Sequence, residues 1–259
     1  MATPLVNDPR RPLRGLFLPT DRRVRTTFNG RDVAASSQVM LLRDSGVDLH
    51  YFFPLEDVDT ALLEEAGQQE HSPERGDLAR WSLSVDGKRA EAAAWSYRNA
   101  PEGRPATDGY LTFDWDAMDE WFEESERVYV HPRDPFHRVD AVLSDRHIRV
   151  ELDGVELANS RRPVTLFETG LPTRFYLPPE DVERELLTPT ALSTRCPYKG
   201  LASYWSVNAN GTEYENHVWG YPEPIAEAPK IKGLLSFFNE KVDIYQDGEL
   251  LPRPRTSWS

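Results

Sequence analysis

Ile148-Arg149-Val150-Glu151-Leu152-Asp153-Gly154-Val155-Glu156-Leu157-Ala158-Asn159 reads as one β-hairpin. Apolar and polar side chains alternate from Ile148 to Leu152, the period of a half-buried strand. Asp153-Gly154 then supplies two residues that tolerate positive φ, as a two-residue hairpin turn requires. Val155 to Asn159 is the return strand. The same hairpin occurs earlier in the chain: Arg25-Thr26-Thr27-Phe28 leads into Asn29-Gly30 and returns through Arg31 to Ala35.

Gly30 and Gly154 are 124 positions apart, and this offset aligns the chain with itself without gaps from Asp21 to about Ser125. Arg25 falls on Arg149, Gly46 on Gly170, and Pro54-Leu55-Glu56-Asp57-Val58 on Pro178-Pro179-Glu180-Asp181-Val182. Pro73 and Gly76 fall on Pro197 and Gly200, Trp81-Ser82 on Trp205-Ser206, and Trp95 and Tyr97 on Trp219 and Tyr221. A period this long means two tandem domains rather than a solenoid.

Further strands are expected at Val39 to Leu42 and Leu49 to Phe53, with counterparts at Val164 to Phe167 and Thr173 to Leu177. Short helices are expected at Pro54 to Leu63 and Pro178 to Leu187, where proline leads and acids crowd the first turn. A second hairpin runs from Trp81 through Asp86-Gly87 to Tyr97, and from Trp205 through Asn210-Gly211 to Tyr221. A last strand follows at Gly109 to Trp115 or Gly233 to Phe238, and an acidic amphipathic segment at Asp116 to Glu126. The expected fold class is mainly β, with two tandem, structurally similar β-rich domains and short helices. The expected bounds are an N-terminal arm (1–20), a first repeat (21–128), a connector (129–141) and a second repeat (142–259). The repeats are expected to pack as a pseudo-symmetric pair, a pseudo-dimer within one chain, with the connector at their seam. The oligomeric state is left open.

With 39% hydrophobic and 11% aromatic residues, the 259-residue chain can bury a real core. Its net charge of -13 disfavours sequence-independent nucleic-acid binding and polybasic membrane binding, so neither partner is expected. One cysteine excludes an intrachain disulfide and a CxxC zinc site. With no early apolar run and no span-length segment, the expectation is a cytoplasmic protein.

Glu168-Thr169-Gly170-Leu171-Pro172-Thr173-Arg174-Phe175-Tyr176-Leu177-Pro178, Cys196-Pro197-Tyr198-Lys199-Gly200, Tyr204-Trp205, Val218-Trp219 with Tyr221 and Pro222, and His131 to Asp140 occur in that spaced set. On these motifs the chain resembles the bacterial and fungal family called domain of unknown function 427, as two copies. The resemblance implies a compact β-rich domain. Its sheets would be similar to the tent-like arrangement of small zinc domains and of the thalidomide-binding domain, without the CxxC pairs those carry. A nucleotidyltransferase-like label attached to the family finds no Gly-rich phosphate loop and no spaced carboxylate pair here.

Comparing the repeats locates the chemistry. Cys196-Pro197-Tyr198-Lys199-Gly200 stands opposite Ser72-Pro73-Glu74-Arg75-Gly76, so the turn residues stay and the reactive ones change. Arg174 stands opposite His50, and Tyr204 opposite Arg80. Lys199 is the candidate acid, anion anchor or amine, and Cys196 a candidate nucleophile or a small packed side chain. Tyr198 and Tyr204 suit hydrogen bonding or stacking. His217, Trp219 and Tyr221 fall on one strand face by the period of two, as a pocket wall or as sheet packing. His131, Asp134, His137 and Asp140 form the other polar set, suited to general-base work or to metal binding, though no HxH or HExxH spacing supports a metal; the alternative is that Asp134 pairs with Arg138 to fix the connector. Glu168, Arg174 and Tyr176 complete the candidate ligand-binding set; no metal site and no cofactor are expected. The functional expectation is a small-molecule enzyme of the cyclase, isomerase, hydratase or lyase type, using acid-base chemistry in the second repeat. The alternatives are a non-catalytic ligand-binding module and a protein-interaction scaffold.

Overall fold

A computed structural model describes residues 15–43, 49–67, 70–73 and 75–259. The expectations for residues 1–14, Gly46 and Glu74 lie outside them. The chain divides into two units, one ending at Asp134 and the other spanning Pro135–Ser259.

Each unit is a pair of antiparallel sheets, and the strand order is the same in both. In the second unit the large sheet runs Val139–Leu143, Val164–Glu168, Arg174–Leu177, Leu235–Phe237, Thr212–Gly220, Gly200–Ala209, Leu187–Cys196. Its small sheet runs Val155–Ser160, Ile148–Leu152, Asp243–Gln246, Glu249–Leu250. In the first unit the large sheet runs Leu16–Pro19, Met40–Arg43, Leu49–Pro54, Tyr110–Phe113, Lys88–Arg98, Gly76–Val85, Leu63–Glu65, with Glu70–Ser72 also on Gly76–Val85. Its small sheet is Glu126–Val128, Glu120–Glu123, Val24–Phe28, Arg31–Ser36.

The Asx-Gly turns close as the sequence requires. Asn29 and Gly30 have φ of 51° and 73°, Asp153 and Gly154 49° and 77°, and Asn210 and Gly211 50° and 78°. These are the paired left-handed conformations that match the twist of the flanking strands.

Alternation along the large sheet produces two separate cores in each unit. In the second unit Phe175, Leu177, Val207, Val218 and Phe237 pack on Ile148, Val150 and Leu157 of the small sheet. The intervening residues Tyr176 and Trp219, with Val164, Leu166 and Ala202, build another apolar cluster that includes Tyr221 and Ile231. In the first unit Tyr51 and Phe53 face the inter-sheet core, whereas Phe52 joins Leu42 and Trp95.

Several expectations are corrected. The short helices are pairs of single 3-10 turns, Leu55–Asp57 with Thr60–Leu62 and Pro179–Asp181 with Arg184–Leu186. Three residues between extended flanks cannot close an α-helical ladder. The acidic segment after Trp115 is a turn followed by the strands Glu120–Glu123 and Glu126–Val128, because Trp121 must reach the core beside Phe53. The arm contributes Leu16–Pro19 as an edge strand on Met40–Arg43, and Val139–Leu143 of the connector does the same on Val164–Glu168. Leu187–Cys196 was not expected as a strand; it is a largely exposed edge whose Pro189 borders a bulge, the position where a sheet tolerates proline.

Gly220 shows how closely two of these strands approach. A Cβ there would stand 2.6 Å from the Leu234 carbonyl oxygen, which is backbone and cannot swing aside. Gly220→Ala is expected to cost about 2 kcal/mol or more, read as a lowered midpoint in urea unfolding with an unchanged slope.

Candidate active site

The second apolar cluster of the Pro135–Ser259 unit is incomplete, and the space it leaves is a cavity of about 350 Å³. Glu168, Tyr176, Lys199, Trp219, Tyr221 and Trp258 are among its walls. Strand periodicity explains the first of these. Val164, Leu166 and Glu168 share a face of their strand, so the carboxylate emerges where the apolar face ends. Lys199 comes from the turn after Cys196. Its N–H closes that turn on the Cys196 carbonyl at 3.4 Å, and its own carbonyl accepts from Ile225 N at 3.1 Å. Gly200 follows at φ +108°, with Ile225 N 3.2 Å from where a Cβ would sit, so only glycine fits.

Lys199 is 7% exposed, and its ammonium pairs with Glu168 Oε2. A charge this deep in a protein needs such a partner. The other oxygen, Oε1, lies 3.0 Å from His137 Nε2. An ion-paired carboxylate can only accept, so Nε2 carries the hydrogen. His137 is held by a reciprocal backbone link beside it. Arg138 N donates to Thr169 Oγ1 at 2.9 Å, and Thr169 N donates to the Arg138 carbonyl at 3.0 Å. The imidazole also stacks on Tyr198, with centroids 4.2 Å apart and 21° between planes. His137 and Tyr198 therefore stand behind Glu168 and do not themselves line the cavity.

A second buried pair also borders the cavity through Arg174. Arg174 donates to both oxygens of Glu240, each at 2.7 Å, and Thr256 Oγ1 donates to Oε1 at 2.7 Å. The guanidinium lies between 5.4 and 5.9 Å from the ring centroids of Trp219, Trp258 and Phe238. Arg174 is thus a wall of the cavity whose charge is already matched. Trp219 Nε1 donates to the Tyr176 hydroxyl at 3.1 Å. The Tyr204 hydroxyl pairs with Thr194 Oγ1 at 2.6 Å, and the half-buried Cys196 also lines the space. Burial pushes the Tyr176 and Tyr221 hydroxyls well above the usual tyrosine range, with Glu168 and Cys196 adding to the shift in both.

The remaining candidates lie elsewhere. Asp134 pairs with Arg43 of the first unit at 3.1 Å, and Arg138 with Asp140 at 2.8 Å, so they do not pair with each other. His217 is outside the cavity lining, packed on Tyr214, with Nδ1 2.9 Å from the Glu215 carbonyl. Burial lowers its pKa. The strand face shared with Trp219 is broken just before it: Asn216 has φ +55°, and Glu215 to His217 stand opposite Ser206 alone. Glu240, Phe238 and Trp258 carried no motif and no alternation that marked them. Among the described residues no group of three His, Cys, Asp or Glu is placed to hold a metal ion.

The first unit has filled the corresponding space. About 20 Å³ remains beside Leu42, Arg75 and Tyr97. Phe17 packs edge-on against Phe52 and Tyr110, where the second unit has Ala141 opposite Tyr176 and Leu234. Arg75, in the place of Lys199, donates to the Tyr97 hydroxyl at 3.0 Å, and Tyr97 stands in the place of Tyr221.

The chain is thus a tandem mainly-β protein whose second unit holds an open, aromatic-walled cavity beside a buried ion pair. Family comparison agrees with the duplication. The model for domain of unknown function 427 (DUF427) matches residues 16–124 and again 140–248, and the chain belongs to that family. No curated protein matches it. No helix among the described residues is long and apolar enough to cross a membrane.

Burial alone would raise the Glu240 carboxyl, but Arg174 and Thr256 outweigh it and hold it below the usual carboxylate value. Its contribution is complete above that usual value and is lost as pH falls through the folded one. Glu240→Gln is expected to cost about 3 kcal/mol at neutral pH. The gap from the unsubstituted protein in urea unfolding should narrow as pH drops below about 4.

Proposed function

We propose that the Pro135–Ser259 unit is an acid-base enzyme domain acting on a small carbonyl compound, in a reaction of the isomerase, cyclase, hydratase or lyase type. The single observation that carries the reading is the buried Lys199–Glu168–His137 chain opening onto a cavity of about 350 Å³. A structural ion pair alone needs no cavity beside it, and an apolar cavity alone needs no buried ammonium.

The roles follow from donor and acceptor counts. Glu168 offers roughly four lone-pair positions, and Lys199 and His137 occupy two. The rest suit removal of a proton next to the substrate carbonyl. Lys199 has three N–H donors with one spent on Glu168, so it donates to the substrate oxygen as charge develops there. His137 positions the carboxylate from behind and touches no substrate. Trp219, Phe238 and Trp258 take the flat apolar body of the ligand.

Proton exchange at carbon tests this without knowledge of the natural substrate. Acetophenone and indanone in heavy water should incorporate deuterium beside the carbonyl faster with the protein than in buffer, followed by NMR. Glu168→Gln should lower the rate about 10²–10⁴-fold while ligand binding and the melting temperature stay measurable. Ketones that bind at the cavity without any acceleration would make this a binding module rather than an enzyme.

A further inference from the structure

Hydrogen-bond bookkeeping in the cavity leaves a one-sided remainder. The Tyr221 side chain is 5% exposed, and no protein partner for its hydroxyl stands among the described residues. The residue lines this cavity together with Tyr176, Cys196, Tyr204 and Glu168. Tyr176 is 1% exposed. Its oxygen accepts from Trp219 Nε1, and that bond leaves the hydroxyl hydrogen without a described protein acceptor. The two rings stand 6.4 Å apart. Neither hydroxyl donates to Glu168, whose two oxygens take Lys199 and His137. Two phenolic hydrogens without a described protein acceptor in one cavity suit a guest that brings an acceptor oxygen.

The first unit supplies the contrast. There Phe52 stands in the place of Tyr176 and carries no hydroxyl, while the Tyr97 hydroxyl accepts from the Arg75 guanidinium at 3.0 Å beside a space of about 20 Å³. Two phenolic hydroxyls border the open cavity of the second repeat, and one borders the nearly filled space of the first.

We infer that Tyr176 and Tyr221 form an oxyanion-binding pair in the second repeat, holding a planar substrate through an oxygen that gains negative charge, as an enolate or phenolate does. This rests on the proton-transfer reading above and narrows it to enolisable substrates whose oxygen, once the neighbouring proton has left, lies against two phenolic O–H groups. The proton goes to Glu168 and the electron pair to the carbonyl oxygen, so no external oxidant or reductant enters. Hydroxyls held in the neutral form by burial are suited to the task, since they donate without themselves ionising. Flat aromatic walls then favour a conjugated anion over a compact one.

Para-nitrophenol is the probe, because its neutral and ionised forms differ in visible absorbance. Titrated into the full chain across a pH series, it should bind as the phenolate and ionise at lower pH when bound than when free. Tyr221→Phe keeps the ring and removes only the donor. It should weaken phenolate binding about tenfold or more, with binding of the non-ionisable para-nitroanisole changed less than twofold. Tyr176→Phe is the second variant, should the first fail to fold, with the same expectation. Binding of the neutral phenol in preference, absence of any spectral change at saturation, or phenolate affinity unaltered in both variants would each overturn the assignment. Ketone exchange that depends on Glu168 but persists fully in both phenylalanine variants would overturn the donor pair and leave the proton-transfer reading standing. Phenolate capture lost in the variants, in a protein that exchanges no ketone, would uphold the pair and end that reading.

Discussion

A strand side chain can face only one side of its sheet, and most of this protein's architecture follows from that restriction. In Arg174–Leu177 the residues Phe175 and Leu177 serve the core against the small sheet, and Tyr176 is thereby committed to the other face. Val218 and Trp219 divide in the same way. The inter-sheet core must be full, because every void there loses contacts outright. The opposite face carries no such obligation, and in the second unit it is left open. Stability and the cavity are therefore assigned to alternate residues of the same strands, and a change on one parity need not disturb the other.

Two buried ion pairs frame that open face. Lys199–Glu168 turns spare donors and lone pairs toward the cavity, whereas Arg174–Glu240 is closed by Thr256 and presents only its rings. Both are expensive to desolvate, and the second satisfies itself more completely than the first. That difference separates a self-contained wall from a pair with hydrogen-bonding capacity to spare. The repeats differ here too, since in the first unit a guanidinium, that of Arg75, donates to the Tyr97 hydroxyl.

Local chemistry made the hairpins legible, because Asx-Gly pairs between alternating strands have few other conformations. The duplication followed from those turns, and comparing Cys196-Pro197-Tyr198-Lys199-Gly200 with Ser72-Pro73-Glu74-Arg75-Gly76 drew attention to Lys199. Glu168, Tyr176 and Trp219 were legible through motif and period. What stayed hidden depends on contacts distant in sequence. Leu187–Cys196 is polar and edge-placed, so it shows no alternation to read. His217 was assigned to a shared face that the left-handed Asn216 interrupts. Glu240 and Trp258 owe their roles to Arg174, more than sixty residues earlier in the chain, and nothing local announces such a partnership.

Trp219 and Trp258 occupy opposite extremes around the same cavity. The first is 7% exposed with its indole N–H fixed on Tyr176, and the second is 43% exposed with its ring over Arg174. An arriving guest would strip water from the outer indole and leave the inner one dry as before. Of these two indoles, the outer one is therefore the one whose emission colour would respond more strongly to filling of the cavity.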